Sequence, residues 1–143
     1  MSFVKTTGVG GLIVFLVASA SCTRCVDLRI FNASGGEITV VNIYPGGEDK
    51  GTIGNGQSMV LPFRMFEWNV TRGNVTWSYS YSSMGDPGKE YMSDNWFQCR
   101  HVLAQIEPDG TLWLLPPGTT SAVETMPPQP PGYPAKPDRV QVH

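Results

Sequence analysis

Val75-Thr-Trp-Ser-Tyr-Ser-Tyr81 is the stretch that decides the fold class of this 143-residue chain. Large apolar residues alternate with Thr and Ser, and successive side chains of a β-strand point to opposite faces of its sheet. An aromatic side chain buries about 150–250 Å² when it packs, so a face with one Trp and two Tyr needs a hydrophobic core. The stretch therefore predicts a half-buried strand, with Val75, Trp77, Tyr79 and Tyr81 on one face and Thr76, Ser78, Ser80 and Ser82 on the other.

The segments on both sides of this stretch have the pattern of further short strands. They are rich in β-branched and apolar residues, and turn-forming residues separate them about every 8–12 positions. No segment after the N-terminal region has sustained helical spacing of its apolar residues. We predict an all-β fold, an antiparallel β-sandwich or small barrel of about seven to eight short strands, whose order the sequence leaves open. The strands are expected at Val26–Ile30, Ile38–Tyr44, Gly51–Ile53, Ser58–Phe63, Met65–Val70, Val75–Tyr81, Cys99–Glu107 and Thr111–Leu115.

Short signals place the breaks between these strands. Asn55-Gly56 is a dipeptide typical of tight β-hairpins. Glu107-Pro-Asp-Gly110 has Pro where a type I turn favours it, and is predicted to close the last hairpin. Pro62 lacks the N–H that a central strand needs, so its strand is expected at a sheet edge. Glu48-Asp49 lies among glycines and is predicted to be solvated charge in a turn.

Residues 116–143 differ in composition from the rest of the chain. Eight of the twelve prolines lie between Pro116 and Pro137. Proline has no backbone N–H and fixes φ, so such a segment favours polyproline II or extended coil over packed structure. We expect a folded β-sandwich domain at residues 22–115, followed by a disordered Pro-rich tail. A ligand for an aromatic groove and a spacer are the alternative roles for that tail.

Residues 1–22 have the order of features found in an export signal. Lys5 precedes an apolar run at residues 9–17, and small residues follow. That run is too short to cross a bilayer, which needs about 20 residues. Two cleavage sites fit the sequence: Ala18-Ser19-Ala20 matches the A-x-A rule for simple secretion, and the alternative site is Cys22.

Ser19-Ala20-Ser21-Cys22 resembles the lipobox of bacterial lipoproteins, in which the cysteine is diacylated and becomes the first residue. Serine stands at both positions where that family has Leu and then Gly or Ala. The count of three cysteines favours this alternative, because lipidation of Cys22 leaves an even pair. Thr23, rather than Asp, follows the cysteine, which is similar to the outer-membrane pattern of these lipoproteins. The resemblance implies a signal peptide at residues 1–21 and a lipid anchor in the outer membrane, facing the periplasm.

The remaining cysteines, Cys25 and Cys99, are expected to form a disulfide in an oxidising compartment. Cys25 opens the first predicted strand, and Cys99 lies near the start of the last hairpin. A bond between them closes a loop of about 75 residues, for which the chain-entropy estimate is about 4 kcal/mol. Pairing of Cys22 with Cys99 is excluded if Cys22 is acylated, and a free buried thiol at Cys99 is the other alternative.

The composition argues against several classes of function. Basic residues occur singly, without the stripe that nucleic-acid binding needs, so no nucleic-acid partner is expected. His101 is the one histidine before the C-terminal segment, and no G-x-S-x-G motif is present, so no catalytic residue is predicted. Cys22-Thr-Arg-Cys25 has C-x-x-C spacing, but a predicted strand follows it where a thioredoxin site has a helix. Cys99, His101, Met84 and Met92 are possible soft ligands without a metal motif, so no metal or cofactor is expected, and a copper or thiol-redox protein is a third alternative.

The aromatic residues exceed what one thin core needs, so some are expected on the surface as a contact patch. Trp96 and Phe97, next to a loop, are the best candidates for this patch. Asp86 and Lys89, in the loop Met84-Gly-Asp-Pro-Gly-Lys89, are further expected partner contacts. The aromatic residues meant are Phe66, Trp68, Trp77, Tyr79, Tyr81, Trp96, Phe97 and Trp113.

These features together predict a class of function rather than an activity. The body of the chain is similar to small β-sandwich modules of exported bacterial proteins. We expect a lipid-anchored cell-envelope protein with a non-enzymatic binding or structural role, whose partner is a protein or a cell-wall component. The alternative is an inhibitor or immunity-type protein that blocks an envelope enzyme with the loop at residues 84–89.

Overall fold

The computed structural model describes residues 26–64, 66–80, 87–93 and 100–143, without the side chain of Lys89. Nine strands and one 3₁₀ turn lie within these ranges, and no α-helix does. None of these residues forms a helix long and apolar enough to cross a membrane. The strands are β1 (Val26–Asn32), β2 (Ile38–Tyr44), β3 (Gly47–Ile53), β4 (Ser58–Pro62), β5 (Glu67–Arg72), β6 (Val75–Tyr79), β7 (Arg100–Ile106), β8 (Leu112–Leu115) and β9 (Arg139–Val142), and the 3₁₀ turn is Lys89–Tyr91.

The described strands form two sheets that share one core. One sheet has the order β4-β1-β7-β8, and the other has the order β3-β2-β5-β6-β9. The predicted all-β sandwich is therefore confirmed, and the barrel alternative is wrong because the strands divide between two separate sheets. The described pairs are antiparallel except β1 and β7, which run parallel with Val26 opposite Arg100. Parallel neighbours need a long connection, and β2 to β6 lie within it.

The core lies between the two sheets, as the alternation in β6 predicts. Trp77 and Tyr79 are buried there, and Pro62 ends β4 at a sheet edge, also as predicted. The four-stranded sheet contributes Leu28, Ile30, Leu61, Val102, Ala104, Ile106, Leu112 and Leu114 to this core, and the five-stranded sheet contributes Ile38, Val40, Ile53, Trp68, Val70, Trp77 and Tyr79.

The turn at Glu107–Gly110 joins β7 to β8, as predicted. Gly110 has a φ of +84°, and a Cβ at this position would lie 2.6 Å from the ring of Trp77. Both facts require glycine, because other residues rarely adopt this φ and nothing larger fits against the indole. The hydroxyl of Tyr79 donates to the carbonyl of Gly110, which ties the turn to the core of the other sheet.

The turn at Asn55-Gly56 forms, but its predicted role in a hairpin is wrong. It connects β3 to β4, which belong to different sheets. These two strands cross closely at Gly51, where a Cβ would collide with the sulfur of Met59. Glu48-Asp49 is also not in a turn as predicted, because both residues lie inside β3 and pair with β2, although Glu48 is exposed and Asp49 partly exposed, as expected for solvated charge. A turn dipeptide reports a local reversal of the chain and not which strands pair afterwards.

Residues 116–143 are part of the fold, so the predicted disordered tail and the domain boundary after residue 115 are wrong. Arg139–Val142 forms β9, which pairs antiparallel with β6. Tyr133 and Ala135 are buried in the main core. We call residues 116–138 the C-terminal strap, because they run from the end of the four-stranded sheet to the edge of the five-stranded sheet. Proline prevents regular pairing in such a segment but not burial of the side chains between the prolines.

Two glutamine side chains attach the strap to the four-stranded sheet. Gln105 is buried, and its amide donates to the carbonyl of Val123 at 2.9 Å and accepts from the N–H of Val123 at 2.8 Å. The amide of Gln129 does the same with the backbone of Leu114, at 2.9 Å and 2.8 Å. Each side-chain amide donates one hydrogen bond to a backbone carbonyl and accepts one from the N–H of the same residue, as a paired strand would.

Candidate functional site

An open groove crosses the five-stranded sheet where β2 and β6 end and β5 and β9 begin. Its volume is about 700 Å³, which falls within the range of about 300–1,000 Å³ typical of ligand sites. Two apolar side chains on its rim are exposed, Ile43 by 39% and Phe66 by 49%. Ile43 lies on the outer face of β2, opposite Glu48 and Glu67 of the neighbouring strands. The groove is therefore a place where large apolar groups meet solvent.

The backbone of Arg64 holds the loop that carries Phe66. Its carbonyl oxygen accepts hydrogen bonds from the Phe66 N–H at 3.0 Å and from the Trp68 indole N–H at 3.0 Å. The side-chain amide of Asn42 donates to the same oxygen and to the carbonyl of Glu67, both at 3.2 Å. Asn42 is buried, and no described group bonds its Oδ1. These donors fix Phe66 at the rim without help from its own side chain.

The side chain of Arg64 fixes the same loop from the solvent side. Its Nε lies 3.0 Å from Oδ2 of Asp49 in β3, and its guanidinium carbon lies 4.2 Å from the ring centroid of Tyr44. An exposed ion pair contributes little stability by itself, but a guanidinium stacked on an aromatic ring adds a directional contact. Arg64 therefore joins the loop before β5 to both β2 and β3.

A row of polar side chains forms the floor of the groove and the sheet beside it. The hydroxyl of Ser78 donates to Oδ1 of Asn69 at 2.7 Å, and the amide of Asn69 donates to Oε1 of Glu67 at 3.3 Å. Ser78 and Glu67 line the groove. The row connects β6 to β5 across the outer face and leaves the carboxylate of Glu67 exposed beside the apolar rim.

Asp138 and Arg139 supply charge at the end of the groove that β9 forms. The N–H of Asp138 donates to the carbonyl of Ser78 at 2.8 Å, and its carboxylate accepts from the N–H of Ser80 at 2.6 Å. Arg139 pairs with Ser78 in the β6–β9 ladder. These contacts fix the start of β9, so a guanidinium and a carboxylate lie at this end of the groove.

The chemistry of this groove suits binding more than proton transfer. Burial, with a contribution from the negative charge of Asp109, raises the pKa of Tyr79 far above its ordinary value. Tyr79 lines the groove, but its hydroxyl donates to Gly110 in the core. The groove has two exposed apolar side chains, and its polar lining includes serines, carboxylates and one guanidinium, which suits hydrophobic contact and polar orientation.

Most of the residues predicted from sequence as site residues lie outside the described ranges. These are the lipidation residue Cys22, the disulfide residues Cys25 and Cys99, and the partner contacts Trp96, Phe97 and Asp86. Lys89 begins the 3₁₀ turn Lys89–Tyr91. Within the aromatic set, Trp68, Trp77 and Tyr79 are core residues, while Phe66 is on the surface.

His101 lies on the outer face of the four-stranded sheet, away from the groove. Its Nδ1 is 3.9 Å from Oδ2 of Asp27, and both side chains are partly exposed. Ser93 accepts a hydrogen bond from the backbone N–H of His101 at 3.0 Å. His101, Ser93 and Arg29 line a smaller cleft of about 280 Å³ next to the start of the strap. This hydrogen bond therefore joins Ser93 to the main chain of His101.

Possible metal ligands are dispersed over the described part of the chain. No three His, Cys, Asp or Glu side chains among the described residues group together as a metal site. Met92 forms a backbone bridge to Val102, and Met84 and Cys99 lie outside the described ranges.

Comparison of the chain with protein-family models, with curated proteins and with solved structures finds no match in any of the three.

Sequence reasoning missed most of the groove. Ile43 looked like one of several β-branched residues of β2, and its position on the outer face follows only from the register with β3 and β5. Asp138 and Arg139 were assigned to a disordered tail. Phe66 belonged to the aromatic set, and the excess of aromatic residues was the one signal in the sequence that pointed to it.

Proposed function

We propose that this chain is an exported, lipid-anchored envelope protein of the periplasmic side of the outer membrane, and that it binds a protein or cell-wall component without catalysing a reaction. The groove across β2, β5, β6 and β9 is the contact site in this proposal. The export signal and the lipobox-like ending at Cys22 support the location. The sandwich fold and the groove support a binding role.

The observation that carries the binding role is the exposure of Ile43 and Phe66 on a fixed rim. Exposed large apolar residues that gather in a groove with a polar edge are typical of contact sites. The hydrogen bonds to the Arg64 carbonyl hold Phe66 in place before any ligand arrives. A preorganised site loses less conformational entropy on binding than a mobile one.

The groove also defines the kind of surface that fits it. An apolar side chain of the partner packs between Ile43 and Phe66, and its flanking groups meet Glu67 on one side and Arg139 on the other. A projecting protein loop or a short peptide of the cell wall has this combination of an apolar group and charges of both signs. Trp96, Phe97, Asp86 and Lys89 stay proposed as further contacts.

The disulfide between Cys25 and Cys99 is part of the same proposal. β1 begins at Val26 and β7 begins at Arg100, and these two residues are opposite each other in the parallel pair. Cys25 and Cys99 directly precede these two residues in the sequence, and neighbouring strands about 4.8 Å apart are within the reach of a disulfide. Peptide mapping of the unreduced protein is expected to show this link. Labelling of both thiols in unreduced, denatured protein would contradict it.

Mass spectrometry of the mature N-terminus tests the anchor. We expect a diacylated Cys22 and recovery of the protein with the outer-membrane fraction, since two fatty chains give stable attachment. An unmodified N-terminus at Ser21 would exclude the anchor and leave secretion by ordinary cleavage.

Binding is tested with the mature protein immobilised and exposed to a solubilised envelope fraction of the producing cells. The variant Phe66→Ser removes the apolar rim, and Val60→Ser changes an exposed apolar residue of the other sheet. We expect the captured component to be lost with Phe66→Ser and kept with Val60→Ser. Equal capture by both variants would contradict a contact at the groove. If the component is a lytic enzyme that loses activity when captured, the inhibitor alternative is favoured.

A further inference from the structure

The edges of the two sheets differ in their protection against pairing with another chain. β8 is bonded to the strap through Gln129 and Ala135. β3 carries the consecutive charges Glu48, Asp49 and Lys50. β4 ends with Pro62, which has no N–H to offer to a neighbour. Charge, proline and a covering segment are the usual means by which proteins block edge strands.

β9 is the remaining edge. Arg139 at its start is its one charged residue, and no described proline or covering segment protects the edge from Val140 to Val142. The N–H of His143 donates to the carbonyl of Asn74 at 2.8 Å, in the same register as the β6–β9 pairs. Hydrogen-bonded and non-bonded pairs alternate in an antiparallel ladder. The backbone groups of Arg139 and Gln141 therefore face β6, and those of Val140 and Val142 face away from the sheet.

The side chains of Val140 and Val142 are also uncovered. They are 57% and 69% exposed. Both lie on the core side of the sheet, because they are opposite Trp77 and Val75 of β6. Among the described residues, β9 thus presents two N–H groups and two carbonyls without a partner, and two exposed apolar side chains, along one short edge.

We propose that β9 pairs with β9 of a second copy of this chain, antiparallel and with two-fold symmetry. Gln141 lies opposite Gln141 of the partner copy at the centre of the contact. Val140 lies opposite Val142 of the partner copy, and the reverse pair follows by symmetry. Each valine pair exchanges two backbone hydrogen bonds, so the contact has about four, and the exposed valines cover one another.

The sequence of β9 favours a second copy over another partner. A two-fold axis at Gln141 sets each exposed valine opposite a valine of the other copy, so this edge is complementary to itself. A shift of the register by two residues would set Asp138 opposite a valine, and the N–H of Asp138 already donates to Ser78. A strand of four residues buries less than the about 1,200–2,000 Å² of a stable complex. The dimer is therefore expected to be weak and to depend on protein concentration.

Sedimentation equilibrium of the purified mature protein tests this pairing, from about 10 μM to about 1 mM, the range in which weak complexes dissociate. The variant Val142→Pro removes a donor that faces away from β6, so it keeps the β6–β9 bonds. Val60→Pro is the matched control, because residue 60 also has an outward N–H, on the edge strand β4. We expect dimers of the parent and of Val60→Pro, and a dissociation constant at least about tenfold higher for Val142→Pro.

A second variant tests the same pairing without placing a proline in β9. Gln141→Cys sets two thiols opposite each other at a non-bonded pair, where Cα atoms lie about 4.5 Å apart. Mild oxidation is expected to join two such chains through the introduced thiols, and a Thr52→Cys control on the edge strand β3 is expected to stay unlinked. A parent protein that stays monomeric to about 1 mM, or equal linking of the two cysteine variants, would overturn the proposal.

Discussion

The two sheets of this sandwich meet the C-terminal segment in opposite ways. The four-stranded sheet has a second apolar cluster on its outer face, formed by Phe31, Leu103 and Leu115, and Val123 and Met126 of the strap pack against it. The outer face of the five-stranded sheet is largely polar. There Thr71 and Thr76 share a hydrogen bond of 2.9 Å across β5 and β6, and only the edge strand β9 is added by the C-terminal segment.

The outer face of the four-stranded sheet therefore serves stability, and the outer face and edge of the five-stranded sheet are available for contact. Apolar side chains on the outer face of the four-stranded sheet need a cover, and the strap provides it. On the five-stranded sheet the strap covers nothing comparable, yet apolar groups are exposed at Ile43, Phe66 and β9. We therefore expect substitutions in the strap to change stability, and substitutions on the groove and β9 to change binding with little effect on stability.

Deletion of residues 116–143 is expected to have the largest effect. It removes Tyr133 and Ala135 from the core and uncovers the second apolar cluster. Each large apolar side chain that is exposed costs about 1.5–3 kcal/mol, and a domain of this size has about 5–15 kcal/mol of stability. We expect no cooperative thermal transition by circular dichroism. Deletion of residues 139–143 alone, which removes the exposed β9, is expected to leave a cooperative transition. A melting temperature unchanged by the longer deletion would contradict a stabilising role of the strap.

Tyr133→Ala is expected to have the next largest effect. Truncation of a buried aromatic side chain costs about 3–5 kcal/mol, and Tyr133 is buried between the sheets. Val142→Ala, at an exposed position of the same segment, is expected to change stability by less than about 0.5 kcal/mol. Urea unfolding of both variants measures the difference. Similar losses for the two variants would show that the strap and β9 do not differ in this way.

Gln129→Ala tests the protected edge of β8 and is expected to have a smaller effect on stability than Tyr133→Ala. It leaves the N–H and carbonyl of Leu114 without their partner, and an unsatisfied, partly buried group costs about 1–3 kcal/mol. Gln141→Ala removes the same side chain from exposed β9 and is expected to cost less than about 0.5 kcal/mol. Urea unfolding measures the loss of stability in each variant. An equal loss for Gln129→Ala and Gln141→Ala would contradict the assignment of Gln129 as the group that pairs with the edge of β8.

Asp109→Asn is expected to have the smallest effect, and one that depends on pH. The hydrogen bond from the Thr111 N–H, at 2.9 Å, is the main cause that lowers the pKa of Asp109 below its ordinary value of 3.8. A lowered pKa stabilises the fold above the unfolded pKa, and this stabilisation is lost as the pH falls through the folded pKa. The variant is therefore expected to be slightly less stable than the parent at about pH 7, with the gap closing below about pH 4. The urea midpoints of the parent and the variant at several pH values measure this difference in stability. A difference that does not change with pH would contradict the lowered pKa of Asp109.

The sequence predicts the fold class of this protein well, because the evidence for it is local. The alternation in Val75–Tyr79 and the turn at Glu107–Gly110 depend on neighbouring residues, and the structure confirms both, while Tyr81 lies outside the described residues. The strap was predicted wrongly because its attachment is not local. Gln105 and Val123, or Gln129 and Leu114, are distant in sequence, and no pattern in a proline-rich segment shows which backbone groups will accept such side chains.

The groove was less predictable than the fold for the same reason. It combines the ends of β2 and β6 with the starts of β5 and β9, so it exists only after the order of the strands is known. Asn55-Gly56 shows what a local signal does not predict. Its turn forms as predicted, but the two strands that it joins lie in different sheets and do not form the predicted hairpin. The excess of aromatic residues predicted a contact patch, but it did not distinguish Phe66 from Trp68, two positions away.

The most direct test of a contact site on the five-stranded sheet compares crosslinking at one residue of each sheet. Ile43 and Val60 are aliphatic residues on the outer faces of the two sheets, with 39% and 37% exposure. Each is replaced in turn by a photoreactive amino acid in the full chain, which is illuminated in intact cells of the producing organism. We expect a discrete crosslinked product from position 43, lost when Phe66→Ser is added, and none from position 60. A product from position 60 with none from position 43 would contradict the account.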